Sequence, residues 1–369
     1  MYHKIVENYE DFKLLNSTWR DFVNTSKQKV FQNFDIYDCL LTAFNDKKRF
    51  NIILIYDEGR IVSILPLAKN KFSLRYSFMD RDLLDYQDVL FHRRINASKK
   101  QEVVVYIVKE MCMKGNMKLR LNGISEDSEL FQILAKLKDD IDLNSAITLV
   151  DLDVCPYIKM DTNWDDYWQT VSKKVRKDTE RQYRNHFENK VKIEDIPKED
   201  IAKCVDDMFE MKRKYPPPQG LSGLMSDNRY REYLKNYALK RTDLVDFKRL
   251  VCEGEIVAYV YSFEDDSVYY YLIPANVKKE KVSLGRIALT EIMKMMFNYK
   301  KQVFDFMRGD EEYKFHFTKL TIKVFDIYVG KIGKVESFCE KIRKKLFLLW
   351  IKNFEKKYVE TFVNDRRTI

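Results

Sequence analysis

Residues 267–317, SVYYYLIPANVKKEKVSLGRIALTEIMKMMFNYKKQVFDFMRGDEEYKFHF, contain the clearest structural pattern in the chain. Aromatic and β-branched residues predict a strand over Val268–Ile273, and apolar residues at helical spacing predict a helix that starts near Ser283. A second strand is predicted over Val303–Met307, followed by a short polar helix over Asp310–Phe317. A strand, helix and strand of these lengths form a parallel pair with a crossover helix, so the segment predicts an α/β core.

The start of the predicted helix is suited to an anion. The segment Ser283-Leu284-Gly285-Arg286 opens the helix, and the first N–H groups of a helix have no partner within it. Gly285 lets a ligand approach the backbone closely, and Lys281 and Arg286 add positive charge nearby. We therefore expect a phosphate-bearing ligand between the two predicted strands.

Length and composition limit the classes of protein to which the chain can belong. The chain has 369 residues, 45% of them apolar, and this length predicts two domains. The six cysteines show neither zinc spacing nor a disulfide framework, and the four histidines make no metal pattern, so we expect no metal and a reducing cytoplasm. We expect no signal segment, because the first residues have no apolar core, and we expect no membrane span, because the apolar runs are too short. The formal net charge of +9 favours anionic partners.

A short motif occurs twice. Glu58-Gly59-Arg60-Ile61-Val62-Ser63 corresponds to Glu253-Gly254-Glu255-Ile256-Val257-Ala258, and each copy lies between two apolar strands, as in a hairpin. In both cases further strand, a helix and another strand follow, at Met117–Asn122 and at Val303–Met307. The repeated order predicts an α/β (α+β) fold of two tandem halves joined near Val154–Asp161, each a central mixed sheet flanked by helices.

The predicted helix from Trp164 to Arg184 opens the second half. Apolar residues recur every three or four positions as far as Val175 and predict one buried face. Basic residues recur at similar spacing and form a stripe on another face, at Lys173, Lys177, Arg181 and Arg184. Two interpretations of this basic stripe stay open, a solvated helix face and a surface that binds an anionic ligand.

The two halves differ at the helix start. The first half has Arg93-Arg94-Ile95-Asn96-Ala97-Ser98 there, without a glycine, so we predict that it has lost any cofactor site. It also carries Leu84-Asp85-Tyr86-Gln87-Asp88. Either Tyr86 and the two aspartates line a cleft between the halves, or they form a solvated turn at a strand end.

The segment Phe304-Asp305-Phe306-Met307-Arg308-Gly309-Asp310-Glu311-Glu312-Tyr313-Lys314 resembles the Asp-Phe-x-Arg-Gly-x-x-x-Tyr-Lys signature of one branch of the GNAT acyltransferase superfamily. That branch is associated with cellulose, capsule and other polysaccharide biosynthesis in bacteria. The chain is also similar to the Fem peptidoglycan aminoacyltransferases, which pair two GNAT halves. The basic helix resembles the Ser-Lys-Lys-x-Arg-Lys helix of the family, and residues 85–88 resemble its Asp-Tyr-x-Asp element. The resemblance spans about residues 30–329.

This resemblance implies a cytoplasmic tandem-GNAT N-acyltransferase. It would transfer an acyl group, most simply acetyl, from acyl-CoA to an amine, such as an amino sugar of a nucleotide- or lipid-linked polysaccharide precursor. Two alternatives stay open, a Fem-like aminoacyl-tRNA-dependent transferase and a non-catalytic GNAT-like binding module. The usual GNAT pyrophosphate loop has Arg or Gln and then Gly or Ala where this chain has Val282 and Ile287, and this departure keeps the tRNA donor open.

Transfer from a thioester to an amine needs an amine that has lost a proton and a leaving thiolate that gains one. We expect the catalytic groups to be Asp305, Arg308, Asp310, Glu311, Tyr313 and Lys314. A buried Asp305 is expected to pair with Arg308 and so hold the site. Glu311 or Asp310 would accept the proton of the amine, and Tyr313 would protonate the thiolate. Lys314 would anchor the substrate or the helix.

The remaining predicted contacts are those of the donor and the acceptor. Predicted cofactor contacts are Tyr271, Ile273, Lys281, Ser283, Leu284, Gly285 and Arg286. Predicted acceptor contacts are Asp85, Tyr86, Asp88, Lys173, Arg176, Lys177, Arg181 and Arg184.

Three domains are predicted along the chain. Residues 1–155 would form a degenerate GNAT-like domain, residues 156–332 the GNAT domain with the acyl-transfer site, and residues 333–369 a basic amphipathic C-terminal helix. This helix would either pack on the core or rest on an anionic membrane surface, which would place the protein at the inner face of the membrane.

Overall fold

The computed structural model describes residues 1–23, 29–44, 50–69, 75–79, 83–187, 190–217, 223–279 and 281–330. The predicted C-terminal helix at 333–369 lies outside these residues, so its place stays a prediction. None of the described helices is long and apolar enough to cross a membrane.

The described strands form one continuous mixed sheet of 13 strands. They are β1 (Tyr2–Val6), β2 (Asn51–Asp57), β3 (Arg60–Lys69), β4 (Tyr76–Phe78), β5 (Leu90–Phe91), β6 (Leu119–Ser125), β7 (Ile147–Lys159), β8 (Val191–Asp195), β9 (Val245–Cys252), β10 (Glu255–Glu264), β11 (Val268–Asn276), β12 (Val303–Asp305) and β13 (Thr321–Val329). Their order in the sheet is β1-β2-β3-β4-β6-β13-β7-β12-β11-β10-β9-β8, and β5 pairs with β3 at the side.

Helices cover both faces of this sheet. They are α1 (Tyr9–Leu14), α2 (Asn16–Val23), α3 (Lys29–Gln32), α4 (Phe34–Ala43), α5 (Ala97–Tyr106), α6 (Glu129–Lys138), α7 (Trp164–Thr170), α8 (Lys173–His186), α9 (Ile201–Lys214), α10 (Asn228–Lys240), α11 (Leu284–Asn298) and α12 (Glu312–Phe315). A π-helical segment, Ile107–Lys114, continues α5, and short 3-10 helices occur at Asn144–Ala146, Lys198–Asp200 and Gly223–Ser226.

The predicted duplication and α/β fold are confirmed by the arrangement of strands. The hairpins β2–β3 and β9–β10 share one turn geometry, with positive φ at Glu58 (47°) and Gly59 (75°) and at Glu253 (53°) and Gly254 (85°). Each half then contains one parallel pair, β4 with β6 and β11 with β12. This repeat explains why the same Glu-Gly sequence occurs at both turns, because both central positions need positive φ.

The two halves exchange their last strands. β7, which ends the first half, pairs with β12 of the second half through Tyr157–Lys159. β13, which ends the second half, pairs with β6 and with most of β7 in the first half. The predicted boundary near residue 155 therefore falls inside the continuous strand β7, and the extent of each domain stays a prediction.

The hydrophobic core on one face of the sheet is shared by the halves. The ring of Phe31 from α3 lies 4.9 Å from that of Tyr270 on β11, and Tyr86 of the first half lies 6.3 Å from Tyr270. On the other face, β11, β12 and α11 have their own core, which contains Tyr271, Phe304 and Phe306. Since the halves share strands and a core, they pack as one body.

Two predicted elements are shorter than the sequence pattern suggests. The second strand of the pair was expected to reach Met307, but β12 ends at Asp305, because Met307 adopts a positive φ of 61°. The helix expected from Trp164 to Arg184 is two helices. Val171 between them is extended, and Ser172 starts α8 by accepting a hydrogen bond from the Val175 N–H.

Candidate active site

A cleft opens where the parallel pair β11–β12 comes apart. The two strands pair for three residues, from Val268 with Val303 to Tyr270 with Asp305. β12 then ends, whereas β11 continues to Asn276 along β10. The pairing with β10 shifts register there and leaves Leu272 as an extra residue, a bulge of the kind that re-aims side chains beside functional sites. The cleft therefore lies between residues 271–276 and the segment that follows Asp305.

The loop after β12 is held in a strained shape. Met307 has a φ of 61° and Gly309 a φ of 125°. A positive φ costs a methionine on the order of 1–3 kcal/mol. The Asp305 carboxylate accepts a hydrogen bond from the Met307 N–H at 2.7 Å. The buried Lys314 ammonium donates to three carbonyls of the loop, those of Met307 (3.0 Å), Arg308 (2.9 Å) and Gly309 (3.3 Å). Lys314 thus anchors this loop.

Asp305 is 3% exposed and points away from Phe304 and Phe306, as alternation along the strand predicted. Its carboxylate accepts a hydrogen bond from the Tyr86 hydroxyl at 2.7 Å. Burial raises the pKa of Asp305 to about 6, while the bonds from Tyr86 and from the Met307 N–H oppose that rise. A side chain of the first half therefore supports the site of the second.

The expected pair of Asp305 with Arg308 is wrong. The Arg308 Nε lies 3.4 Å from an Asp85 carboxylate oxygen, and the Arg308 N–H donates to the other oxygen at 3.1 Å. The turn at Met307 directs the chain toward residues 84–86 of the first half, so Arg308 forms its ion pair with Asp85. The interpretation of Asp85 and Tyr86 as cleft residues between the halves is the one that agrees with these contacts.

Asp88 does not join this group. Its carboxylate accepts a hydrogen bond from the Val89 N–H at 2.8 Å and lies within electrostatic reach of Glu129 and Lys100 of the first half. Burial raises its pKa to about 7, the Val89 N–H opposes that rise, and Glu129 adds to it. Asp88 therefore faces helices of its own half.

Three predicted groups lie on the polar helix α12 or just before it. Glu311, just before it, makes an ion pair with Lys314 at 2.8 Å. Tyr313 is 39% exposed and lies close to Tyr271 on β11. The surroundings of its phenol, with partial burial first and the Glu311 charge second, raise the pKa of Tyr313. Asp310 is exposed. Tyr313 is therefore a protonated hydroxyl at neutral pH.

The N-terminus of α11 lies at the far end of β11. Ser283 precedes the first residue of α11, and its side chain makes no capping hydrogen bond. The Ser283 N–H donates to the Gln182 side chain of α8 at 2.8 Å. A Cβ at Gly285 would lie 2.9 Å from the Asn276 side-chain oxygen, so a larger residue there would displace the end of the Asn276 side chain. The Leu284 side chain is buried.

The other predicted cofactor residues surround this helix start. Tyr271 faces the α11 side of the sheet and Ile273 the opposite side, because the bulge at Leu272 reverses the alternation. Lys281 is exposed and has a positive φ of 61°. The Arg286 guanidinium pairs with Asp178 of α8, so its charge is partly neutralised.

Helix α8 brings the basic stripe beside α11. Asp178 and Gln182 on α8 contact the α11 start, and the exposed Lys173, Lys177, Arg181 and Arg184 lie on the neighbouring face. Arg181 pairs with Asp178. Arg176 is turned away from this surface, since its Nε donates to the Val171 carbonyl at 3.0 Å.

One cleft residue was missed from the sequence. Lys212, in the last turn of α9, donates a hydrogen bond to the Pro274 carbonyl of β11 at 3.0 Å, and the Glu311 charge acts on it. Its sequence context, Lys212-Arg213-Lys214, resembles the ordinary basic end of a helix. No local signal separates Lys212 from its two neighbours.

Part of the second half is similar to a known protein family. Residues 173–315 match a family model described as an acetyltransferase (GNAT) domain. Every predicted catalytic residue, from Asp305 to Lys314, falls within that match, as do α8, α9, β11 and α11. No curated protein matches the chain in sequence.

Solved structures show the same fold at low identity. FemX superposes with a TM-score of 0.58 at 10% identity, covering 93% of this chain and 99% of FemX. A conserved protein of unknown function from Bacteroides thetaiotaomicron gives 0.56 at 10% identity, covering 89% and 100%. The C-terminal domain of a putative lysylphosphatidylglycerol synthetase from Agrobacterium fabrum gives 0.53 at 10% identity, covering 89% and 95%. The chain therefore shares its fold with these structures, and the match of residues 173–315 to a GNAT acetyltransferase domain supports an acyltransferase.

Proposed function

We propose that the protein transfers an acetyl or other small acyl group from acyl-CoA to the amine of an amino sugar. The acceptor would be a nucleotide- or lipid-linked precursor of a cell-envelope polysaccharide. The observation that carries this proposal is the cleft between β11 and the loop after β12, which opens toward the uncapped start of α11. A long donor with a thioester at one end and phosphates at the other suits such a cleft.

The donor would lie along β11. Its pyrophosphate would meet the backbone of Ser283 to Arg286, where helix N–H groups favour an anion, and the exposed Lys281 would add charge. Gly285 supports this position because its missing side chain leaves room for Asn276 and for close approach to the helix start. The thioester would then lie near Tyr271 and Tyr313.

The predicted catalytic groups would have different roles in the loop after β12 and in α12. Tyr313 would protonate the leaving thiolate, and its raised pKa keeps it protonated until then. Glu311, ion-paired with Lys314, would hold the acceptor amine at the cleft. Asp305, Arg308 and Lys314 would keep the loop in shape, because each of them bonds to backbone or to the first half.

The acceptor would bring phosphate to the basic stripe. Lys173, Lys177, Arg181 and Arg184 are exposed beside the start of α11, so a phosphorylated sugar bound there would reach the same cleft. Asp85 would form part of the wall on the side of the first half.

A second donor, aminoacyl-tRNA, has one observation in its favour. The same basic stripe follows a helix face, and four exposed cations suit a nucleic-acid backbone. In this reading the protein would be a Fem-like transferase. Native mass spectrometry of the chain as purified from cells distinguishes the donors, because coenzyme A and tRNA differ greatly in mass.

The direct test is turnover. Wild-type chain with acetyl-CoA is tested against D-glucosamine, glucosamine phosphates and a UDP-linked amino sugar, with release of free thiol as the readout. We expect acceptor-dependent thiol release with at least one phosphorylated sugar, and a lower rate at high salt. Retention of tRNA without any release of thiol would contradict the acyl-CoA donor. No turnover of either donor would favour a binding module.

A further inference from the structure

Lys212 reaches the cleft from the face of the sheet opposite α11. The apolar residues of α9 pack in the core shared by the halves, whereas those of α11 pack on the other face. From the last turn of α9, the Lys212 ammonium donates to the Pro274 carbonyl at 3.0 Å. Pro274 follows the bulge at Leu272, where β11 no longer has β12 beside it.

Two other lysines show what is unusual about Lys212. Lys314 is buried, but its ammonium bonds to three carbonyls and pairs with Glu311. Lys214, two residues further along α9, is exposed. In the part of the chain that the structure describes, the Lys212 ammonium has a single hydrogen-bond partner, Pro274. It is therefore a partly buried ammonium with unused donors at the edge of the cleft.

The surroundings of Lys212 make its neutral form easier to reach than that of an ordinary lysine. Burial lowers the pKa of Lys212 to about 8, and the Glu311 charge opposes that change only in part. Glu311, from the loop, is the charged group that acts on it, and β11 contributes the uncharged Pro274 carbonyl. A neutral amine keeps two N–H groups and one lone pair, so Lys212 can hold Pro274 and accept a proton at once.

We propose that Lys212 is the base that takes the proton from the acceptor amine. This inference rests on the proposed function and names a group for one step of it. A protonated acceptor, R–NH3⁺, would enter between Glu311 and Lys212 and give one proton to the Lys212 amine. The free amine would then attack the thioester carbonyl, a C–N bond would form and the C–S bond would break. The second proton lost from nitrogen would pass to the thiolate by way of Tyr313.

The assignment leaves Glu311 with a different task from the one predicted from sequence. Protonation of Glu311 would break its ion pair with the buried Lys314, which holds the loop carbonyls. Lys212 can gain a proton without such a loss, and its new charge would face Glu311. Glu311 would therefore bind the acceptor ammonium, and Lys212 would deprotonate it.

The first arm of the test needs no acceptor. Lysines of the wild-type chain are labelled with trace acetic anhydride between pH 6 and pH 11, and each site is quantified by peptide mass spectrometry. We expect Lys212 to reach half of its maximal reactivity near pH 8, about two pH units below the ordinary lysine value. A half-maximal pH for Lys212 at the ordinary lysine value would overturn the proposal.

The second arm compares Lys212→Arg with Lys214→Arg in turnover of acetyl-CoA and the sugar acceptor that the wild-type chain uses fastest. Arginine keeps N–H donors for the Pro274 carbonyl but is always charged and accepts no proton. We expect kcat to fall about 100-fold or more in Lys212→Arg and to stay at the wild-type value in Lys214→Arg. An active Lys212→Arg overturns the role of Lys212 alone, whereas a wild-type chain without turnover overturns the proposed function as well.

Discussion

Each half of the chain contains a pair of parallel strands joined by a connection with a helix, β4 with β6 in the first half and β11 with β12 in the second. Both pairs are short, since β4 pairs with β6 at Tyr76 and Ser77 only. In the first half the chain then returns to fill the gap beside β6. Gln87 pairs in parallel with Ile124, and its N–H donates to the Gly123 carbonyl at 2.9 Å.

The filled gap leaves no room for a ligand. Gly123 has a positive φ of 71°, and a Cβ there would lie 3.2 Å from the Asp85 carbonyl, so backbone packs against backbone. The helix starts differ as well. Asn96 caps α5 by accepting a hydrogen bond from the Lys99 N–H at 2.9 Å, whereas the Ser283 side chain makes no such bond at α11. The first repeated unit therefore supports the site of the second through Asp85 and Tyr86, whereas the second unit has an open cleft.

The largest expected effect comes from closing the second helix start. Gly285→Val should weaken coenzyme A binding by about 100-fold or more, or about 2.7 kcal/mol, because the new side chain would collide with Asn276 and cover the N–H groups. The measurement is isothermal titration calorimetry. Ser98→Val, at the matching position of α5, is the control and should leave affinity unchanged. Equal affinity for coenzyme A in both variants would contradict the proposed difference between the helix starts of the two halves.

The next effect concerns the acid. Tyr313→Phe should lower kcat by about 100-fold, as expected for loss of one general acid, while the melting temperature stays nearly constant because Tyr313 is 39% exposed. Tyr299→Phe, at a tyrosine that is 60% exposed, is the control and should be fully active. If Tyr313→Phe turns over at the wild-type rate, another group protonates the thiolate.

A smaller effect tests the supporting role of the first half. Tyr86→Phe removes a donor from the buried Asp305 carboxylate and should lower the free energy of unfolding by about 1–3 kcal/mol, with a further rise in the pKa of Asp305. Tyr37→Phe removes the hydroxyl that donates to the neutral Gln87 side chain at 2.8 Å and should cost about 1 kcal/mol. Chemical denaturation measures both. A loss in Tyr86→Phe no larger than in Tyr37→Phe would show that the link to Asp305 adds nothing.

The smallest effect is a pH dependence within the first half. The folded-state pKa of Asp88, about 7, lies above its ordinary value of 3.8. Between these values the folded chain keeps a proton that the unfolded chain has lost, so this group lowers stability as the pH rises toward 7. Asp88→Asn should therefore be about 1–2 kcal/mol more stable than wild type at pH 8, with a much smaller gain at pH 4.

Thermal melting at both pH values measures this effect. Asp139→Asn, at an exposed position, should change stability equally at pH 4 and pH 8. A gain for Asp88→Asn that does not grow with pH would mean that the Asp88 carboxylate is solvated, and that this face of the first half is less closed than the contacts indicate.

Local patterns in the sequence predicted the elements of both halves. The strand, helix and strand around Gly285 form as expected, the two Glu-Gly turns match, and Asp305 points away from its phenylalanine neighbours. These features depend on residues close in sequence, where periodicity and turn preferences decide the outcome. The prediction of two tandem α/β halves is confirmed for the same reason.

Contacts between distant residues were not predictable in this way. Arg308 meets Asp85 across more than 200 positions of sequence, and the exchange of β7 and β13 depends on pairing between halves. The break at Val171 was hidden by an apolar spacing that continues through it. Lys212 became a candidate only when α9 was placed against β11. The burial that lowers the pKa of Lys212 depends on this packing.

The central claim is that one half binds the donor and the other does not. Titration of coenzyme A into the whole wild-type chain, followed by calorimetry, tests it most directly through the stoichiometry. We predict one coenzyme A per chain, bound in the cleft between β11 and the loop after β12. Two equivalents per chain, or none at concentrations that saturate known acyl-CoA enzymes, would contradict it.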